Sequence, residues 1–256
     1  MTLAFSLDRI VEIHARRATV FRFFTDAARF ARWWGAGSTI DPVVGGAVCI
    51  RYPDGSTAAG AITELVEDQR IVFTCGYDDP AKQIHPGGSL VTITLEDTAA
   101  GGSRVHLRHD VADAKLRQEH IQGWKYQLAV LAKIASDDAH AAAPEAIAAW
   151  FAAWNEPTDD RRRALLAPIV AAGVAFRDGF GNATGLDELL AHIAACQRFM
   201  PGVRLDAQGT PRISHGTVIA DWTMRRPGDD TLMTGTNVFR LSPAGQIAEV
   251  IGVAAT

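Results

Sequence analysis

Residues 104–135, RVHLRHDVADAKLRQEHIQGWKYQLAVLAKIA, change their apolar period from two to between three and four within a few positions. Alternation over 104–111 puts Val105, Leu107, His109 and Val111 on one face of a strand, and Arg104, His106, Arg108 and Asp110 on the other. From residue 114 the stripe Leu116, Ile121, Trp124, Leu128 and Leu131 has helical spacing. His120 stands four residues from both Leu116 and Trp124, so it joins that stripe. A sheet built around the strand must cover its apolar face, and this helix is the only element of sufficient length. The expectation is a helix gripped by a sheet, with His109 and His120 meeting between them.

The elements upstream supply that sheet. Residues 9–15 read as a strand, and residues 19–34 read as a helix through Val20, Phe23, Phe24, Ala27, Phe30 and Trp34. Alternating runs at 47–51, 57–66, 70–77 and 89–96 are separated by PDG, VED and AAGG turn signals. The segment SDDAHAAAP, 136–144, breaks the pattern. It divides the chain into a domain at 1–138, a linker at 139–144 and a domain at 145–256. The second half opens with a helix at 144–155 and another that Thr158 is expected to cap. A strand at 174–177, a helix at 186–199 and strands at 208–214, 217–226, 232–241 and 246–253 follow. Both halves are therefore α+β, each a curved antiparallel sheet with helices on one face.

The 256 residues carry a net charge of -4, 48% hydrophobic and 21% charged side chains. That composition lacks the basic excess needed to neutralise a phosphate backbone, so nucleic acid is not the expected partner. No apolar run reaches the ~18 residues of a membrane span. Cys49, Cys75 and Cys196 form no CxxC pair and no disulfide framework, and no export signal is visible, so a reducing cytoplasm is the expected location. His106 and His109 have HxxH spacing, but on a strand they face opposite ways; no metal and no cofactor are expected.

The first half, through GAGSTIDPVVGGAV, YPDGSTAAGAITELVEDQRIVFT and EHIQGWKYQLAVLAKI, resembles the SRPBCC or START-type helix-grip domains over residues 8–136. It is nearest the branch named for activators of the heat-shock chaperone ATPase. AAWNEPTDDRRRALL, FRDGFGNATGLDELLAHI, SHGTVIADWTM and GTNVFRLSPAGQIAEVIG resemble the SnoaL-like, polyketide-cyclase-like branch of the nuclear transport factor 2-like superfamily. Both resemblances imply a pocket between sheet and helix.

The expected lining of the first pocket is Trp33, Trp34, Phe73, Tyr77, His109, His120 and Trp124, which favours a small apolar ligand. The expected lining of the second is Trp150, Phe176, Trp222, Met224 and Phe239. Asp178, partly buried at the mouth of the second pocket with a raised pKa, is the candidate base of a cyclase or isomerase, with His215 and Asn237 orienting the substrate. Asn237 stands where the resembled family often has an aspartate, and an amide cannot be a base. No cysteine has an adjacent histidine and no GxSxG occurs, so no nucleophile is expected. The leading expectation is apolar ligand binding in one or both pockets. A cofactor-independent cyclase or isomerase is the alternative. A third reading is a module that contacts a chaperone through the first half, with a homodimer through the sheet of the second.

Overall fold

The computed structural model describes residues 2–226, 228 and 231–255. Contacts divide the chain into two units, Met1–Ser136 and Asp137–Thr256.

The first unit begins with β1 (Phe5–Ile13), α1 (Arg17–Phe21), a 3-10 turn at Arg22–Phe24 and α2 (Ala27–Trp34). The single helix expected over 19–34 is broken at Asp26, whose carboxylate accepts from the Arg29 backbone N–H at 2.9 Å and caps a new helix. Then come β2 (Thr39–Ile40), β3 (Ala47–Arg51), β4 (Thr57–Val66), β5 (Arg70–Tyr77), β6 (Ser89–Asp97), β7 (Ser103–Val111) and α3 (Ala114–Ala139). The strands pair antiparallel in the order β1-β7-β6-β5-β4-β3-β2. Burial alternates along β7, with Val105, Leu107, His109 and Val111 inside. Leu116, Trp124, Leu128 and Leu131 of α3 are buried. Phe23, Phe24, Phe30 and Phe73 fill the core. The Gln127 side-chain amide on α3 donates to the Trp33 carbonyl, which ties the long helix to the end of α2.

The second unit contains α4 (Ala143–Asn155), α5 (Asp159–Leu166), β8 (Val170–Arg177), β9 (Asn182–Thr184), α6 (Gly185–Phe199), β10 (Arg204–Ser214), β11 (Thr217–Arg225), β12 (Thr231–Leu241) and β13 (Ile247–Ala254). Its strand order is β10-β11-β12-β13-β8-β9. The pairing departs from an all-antiparallel sheet at one seam, where β13 runs parallel to β8. Thr158 precedes α5, but its hydroxyl donates to Glu156 Oε1 at 3.0 Å and does not cap the helix. Trp150 of α4 packs edge-on against Phe239 of β12 at 5.6 Å, which places α4 on the sheet. Gln197 of α6 donates to the carbonyls of Trp154 and Glu156 and accepts from the buried Arg162. This network fixes α6, and with it the side chains that α6 contributes to the second cavity.

Candidate functional sites

The first unit encloses a cavity of about 420 Å³. Six of its lining rings form a closed circuit. Trp34 meets Tyr52 at 6.0 Å, Tyr52 meets Tyr77 at 6.0 Å, and Tyr77 meets His120 at 6.3 Å. His120 meets His109 edge to face at 5.1 Å, His109 meets Trp124 at 5.8 Å, and Trp124 returns to Trp34 at 5.4 Å. These rings come from the end of α2, the residue after β3, the end of β5, β7 and α3. Each element therefore delivers one or two members.

Hydrogen bonds assign different roles to the two histidines. Ser89 Oγ donates to the Cys75 carbonyl at 2.7 Å, so at 2.9 Å it must accept from Nε2–H of His109. His109 Nδ1 then accepts from the Trp124 indole at 3.0 Å. Burial, followed by the neighbouring His120, pushes the His109 pKa down to about 3. This ring is neutral with both nitrogens occupied; it shapes the wall and cannot take a proton from a ligand. His120 donates through Nδ1 to the Leu116 carbonyl at 2.7 Å. In the neutral ring Nε2 is then an acceptor, and it lies a long 3.5 Å from the Tyr77 hydroxyl. A ligand hydroxyl can compete for that acceptor. Burial, followed by Cys75 and Tyr77, raises the Tyr52 phenol far above its ordinary value, so it stays protonated.

Trp34, Tyr77, His109, His120 and Trp124 thus lie together, and Tyr52 is the member that sequence reading did not assign. Its signal was its place beside Pro53 in the YPDG hairpin. Phe73 and Trp33 do not reach the cavity. Phe73 is packed two alternations deeper on β5, in the core, and the Trp33 indole turns away to donate to the Phe23 carbonyl at 3.0 Å.

The second unit has a smaller cavity, about 120 Å³, lined in part by Phe176, Asp178, Cys196, Trp222, Met224 and Asn237. The Trp222 indole donates to Asn237 Oδ1 at 3.0 Å, which fixes the amide. Asp178 Oδ1 accepts from the Phe180 and Gly181 backbone N–H groups at 2.8 and 2.9 Å, and Oδ2 stands 3.9 Å from His192 Nε2. The pKa expected for Asp178 is reversed. Burial alone would raise it, but hydrogen bonds from His192 and Phe180, the His192 charge and the Gly181 N–H together hold it below its ordinary value. A carboxylate held low is a poor base. His192 is pushed up to about 9, by its close contact with the Asp178 carboxylate first and its hydrogen bond with Cys196 second.

The other expectations for this half are corrected by burial and turn geometry. Trp150 and Phe239 lie wholly in the core. His215 is exposed in the two-residue turn between β10 and β11, with φ of 49° beside Gly216 at 74°. Both central residues thus have positive φ, as in a type I′ turn, and the imidazole is part of the hairpin. A cysteine does have a histidine beside it, because Cys196 lies one helical turn from His192, with Sγ 3.6 Å from Nε2. The four-residue spacing on α6 carried that signal in the sequence. Among the described residues, no cluster of three or more histidine, cysteine or acidic side chains has the geometry to hold a metal. No helix among them is long and apolar enough to cross a membrane.

Comparison with known proteins places each half. Residues 14–136 match the family described as Activator of Hsp90 ATPase homolog 1-like protein, and residues 147–250 match the SnoaL-like domain. No curated protein matches the chain. Similar solved structures include a SnoaL-like family protein of Agrobacterium tumefaciens, 28% identical, covering 46% of this chain and 99% of that one with a TM-score of 0.43. Another is the Aha1 dimer of Colwellia psychrerythraea, 16% identical, covering 50% of this chain and 93% of that one with a TM-score of 0.44. A third is a protein of Chromobacterium violaceum, 27% identical, covering 50% and 94% with a TM-score of 0.42.

Proposed function

The chain joins a domain of the activator-of-Hsp90-ATPase-homolog type to a SnoaL-like domain, and from the interior of the first we propose that it binds a small, ring-bearing apolar molecule carrying a hydroxyl group. The observation that supports this most is the closed circuit of six rings around a cavity of about 420 Å³. That volume lies within the range of ~300–1,000 Å³ typical of small-molecule sites. The aromatic faces favour a flat apolar body. His120 Nε2 and the Tyr77 hydroxyl, too far apart to satisfy each other well, offer one acceptor and one donor for a polar handle. His109 takes no part in proton transfer; its saturated hydrogen bonds set the position of Trp124.

The ion-paired state of Asp178 weighs against the base role that a cyclase or isomerase reading gave it. Native mass spectrometry of gently purified full-length protein tests the binding proposal. A retained molecule, released by replacing Trp124 with Ala, supports it. A chain that is empty as purified and remains empty when mixed with hydroxylated aromatic compounds contradicts it.

A further inference from the structure

We propose that the second cavity captures small α,β-unsaturated carbonyl compounds covalently at Cys196. The site lies in the other domain, so this proposal does not depend on the ligand of the first cavity. Cys196 lines the cavity wall, and His192, one turn earlier on α6, places Nε2 3.6 Å from Sγ. The imidazole is held on several sides. Its ring packs against Phe176 at 5.1 Å and Trp154 at 5.9 Å. The turn after β8 closes on it as well, because a Cβ at Gly181 would lie 3.1 Å from Cε1 and 3.2 Å from Nδ1. Asp178, fixed by two backbone N–H groups, faces the same Nε2 at 3.9 Å. The carboxylate favours the imidazolium, which places a positive charge beside a sulfur that can act as a nucleophile.

The first domain supplies the contrast. Cys75 also lines a cavity, but burial pushes its thiol up to about 12, and the cavity offers it no such fixed imidazole contact. In the second cavity the volume of about 120 Å³ restricts the electrophile to a few heavy atoms. Phe176, Trp222 and Met224 suit its carbon skeleton, and Asn237, whose Oδ1 is taken by Trp222, has its amide N–H₂ left for a carbonyl oxygen. In the reaction the thiol proton passes to water, and the His192 imidazolium faces the sulfur. Sγ then bonds to the β-carbon while the C=C π pair moves through the carbonyl to oxygen. The His192 imidazolium gives its Nε2 proton to the α-carbon and regains one from water. Thiol and enone give a saturated β-thioether, with no oxidant or other reactant consumed.

The test uses the full chain and methyl vinyl ketone near neutral pH, with adducts at each cysteine followed in time by peptide mass spectrometry. Cys196 should react at least about tenfold faster than Cys49 or Cys75, and urea should erase the preference. His192→Asn and Gly181→Ala should each slow Cys196 by about tenfold, the first by removing the imidazolium beside the sulfur and the second by displacing it. The proposal is overturned if native Cys196 reacts no faster than the same cysteine in the unfolded chain, or if a folded His192→Asn protein keeps the wild-type rate. Should the variants fail to fold, the native-to-unfolded ratio of the wild type alone decides.

Discussion

His109 and His192 each stand at a cavity between a sheet and a helix, yet their surroundings move them in opposite directions. His109 is buried, with Ser89 and Trp124 on its two nitrogens, and burial and then His120 bring its pKa down to about 3; His192 faces a carboxylate and a thiol, and its pKa rises to about 9. The first domain has used its histidine to build a cavity wall. The second keeps a cation beside a thiol. Resemblance of fold therefore carries little about chemistry, which depends on the groups within a few ångströms of each ring.

The largest expected effect is the acid response of the first domain. His109 in the fold has a pKa below the ~6.5 of the unfolded chain, so its contribution is full above that value and is lost as pH falls from about 6.5 toward 3. The loss is on the order of 4 kcal/mol. Urea titrations followed by fluorine NMR of 5-fluorotryptophan protein can resolve it, because Trp124 reports the first domain and Trp222 the second. Acid-insensitive unfolding at Trp124 would break the comparison.

Replacing Trp222 by Phe comes next. It leaves buried Asn237 Oδ1 without its indole donor and should cost the second domain about 1–3 kcal/mol in a urea titration read at Trp150 of that domain, while the first is unaffected.

A smaller effect is expected at alkaline pH, this time at Trp222. The folded pKa of His192 is above its unfolded value, so the stability it contributes is present below about 6.5 and is lost as pH rises through about 9. Asp178→Asn should move that loss to lower pH by removing the first of the groups that raise His192. An unchanged alkaline edge would mean that the ion pair does not set the charge of the ring.

The first cavity was largely legible in the sequence because its determinants are local. Period two along 104–111 fixed the inward face of His109, and helical spacing put His120 and Trp124 on the covering stripe. Tyr52 escaped because a residue just past a strand has no period to read. The second site was less legible for a different reason. Asp178 and His192 are joined across a turn and a three-residue strand, β9, too short to show alternation. The parallel seam of β13 and β8 is a tertiary choice that neither strand's composition announces. The break at Asp26 was written in the sequence as a capping residue, but the apolar stripe ran across it and concealed it.

The most direct test of the central claim uses Gly123, which lines the first cavity on α3 and has nothing within 4 Å of where a Cβ would stand. A Cβ at that position meets nothing, so the helix can carry a leucine there beside the cavity, and as a better helix former leucine should stabilise the domain by about 0.5–1 kcal/mol. Isothermal titration calorimetry with 2-naphthol, a flat bicyclic molecule with one hydroxyl, should show binding at one site to the wild type and none to a Gly123→Leu protein of equal or greater stability. Equal binding by the two proteins, or no binding by the wild type, would contradict the account.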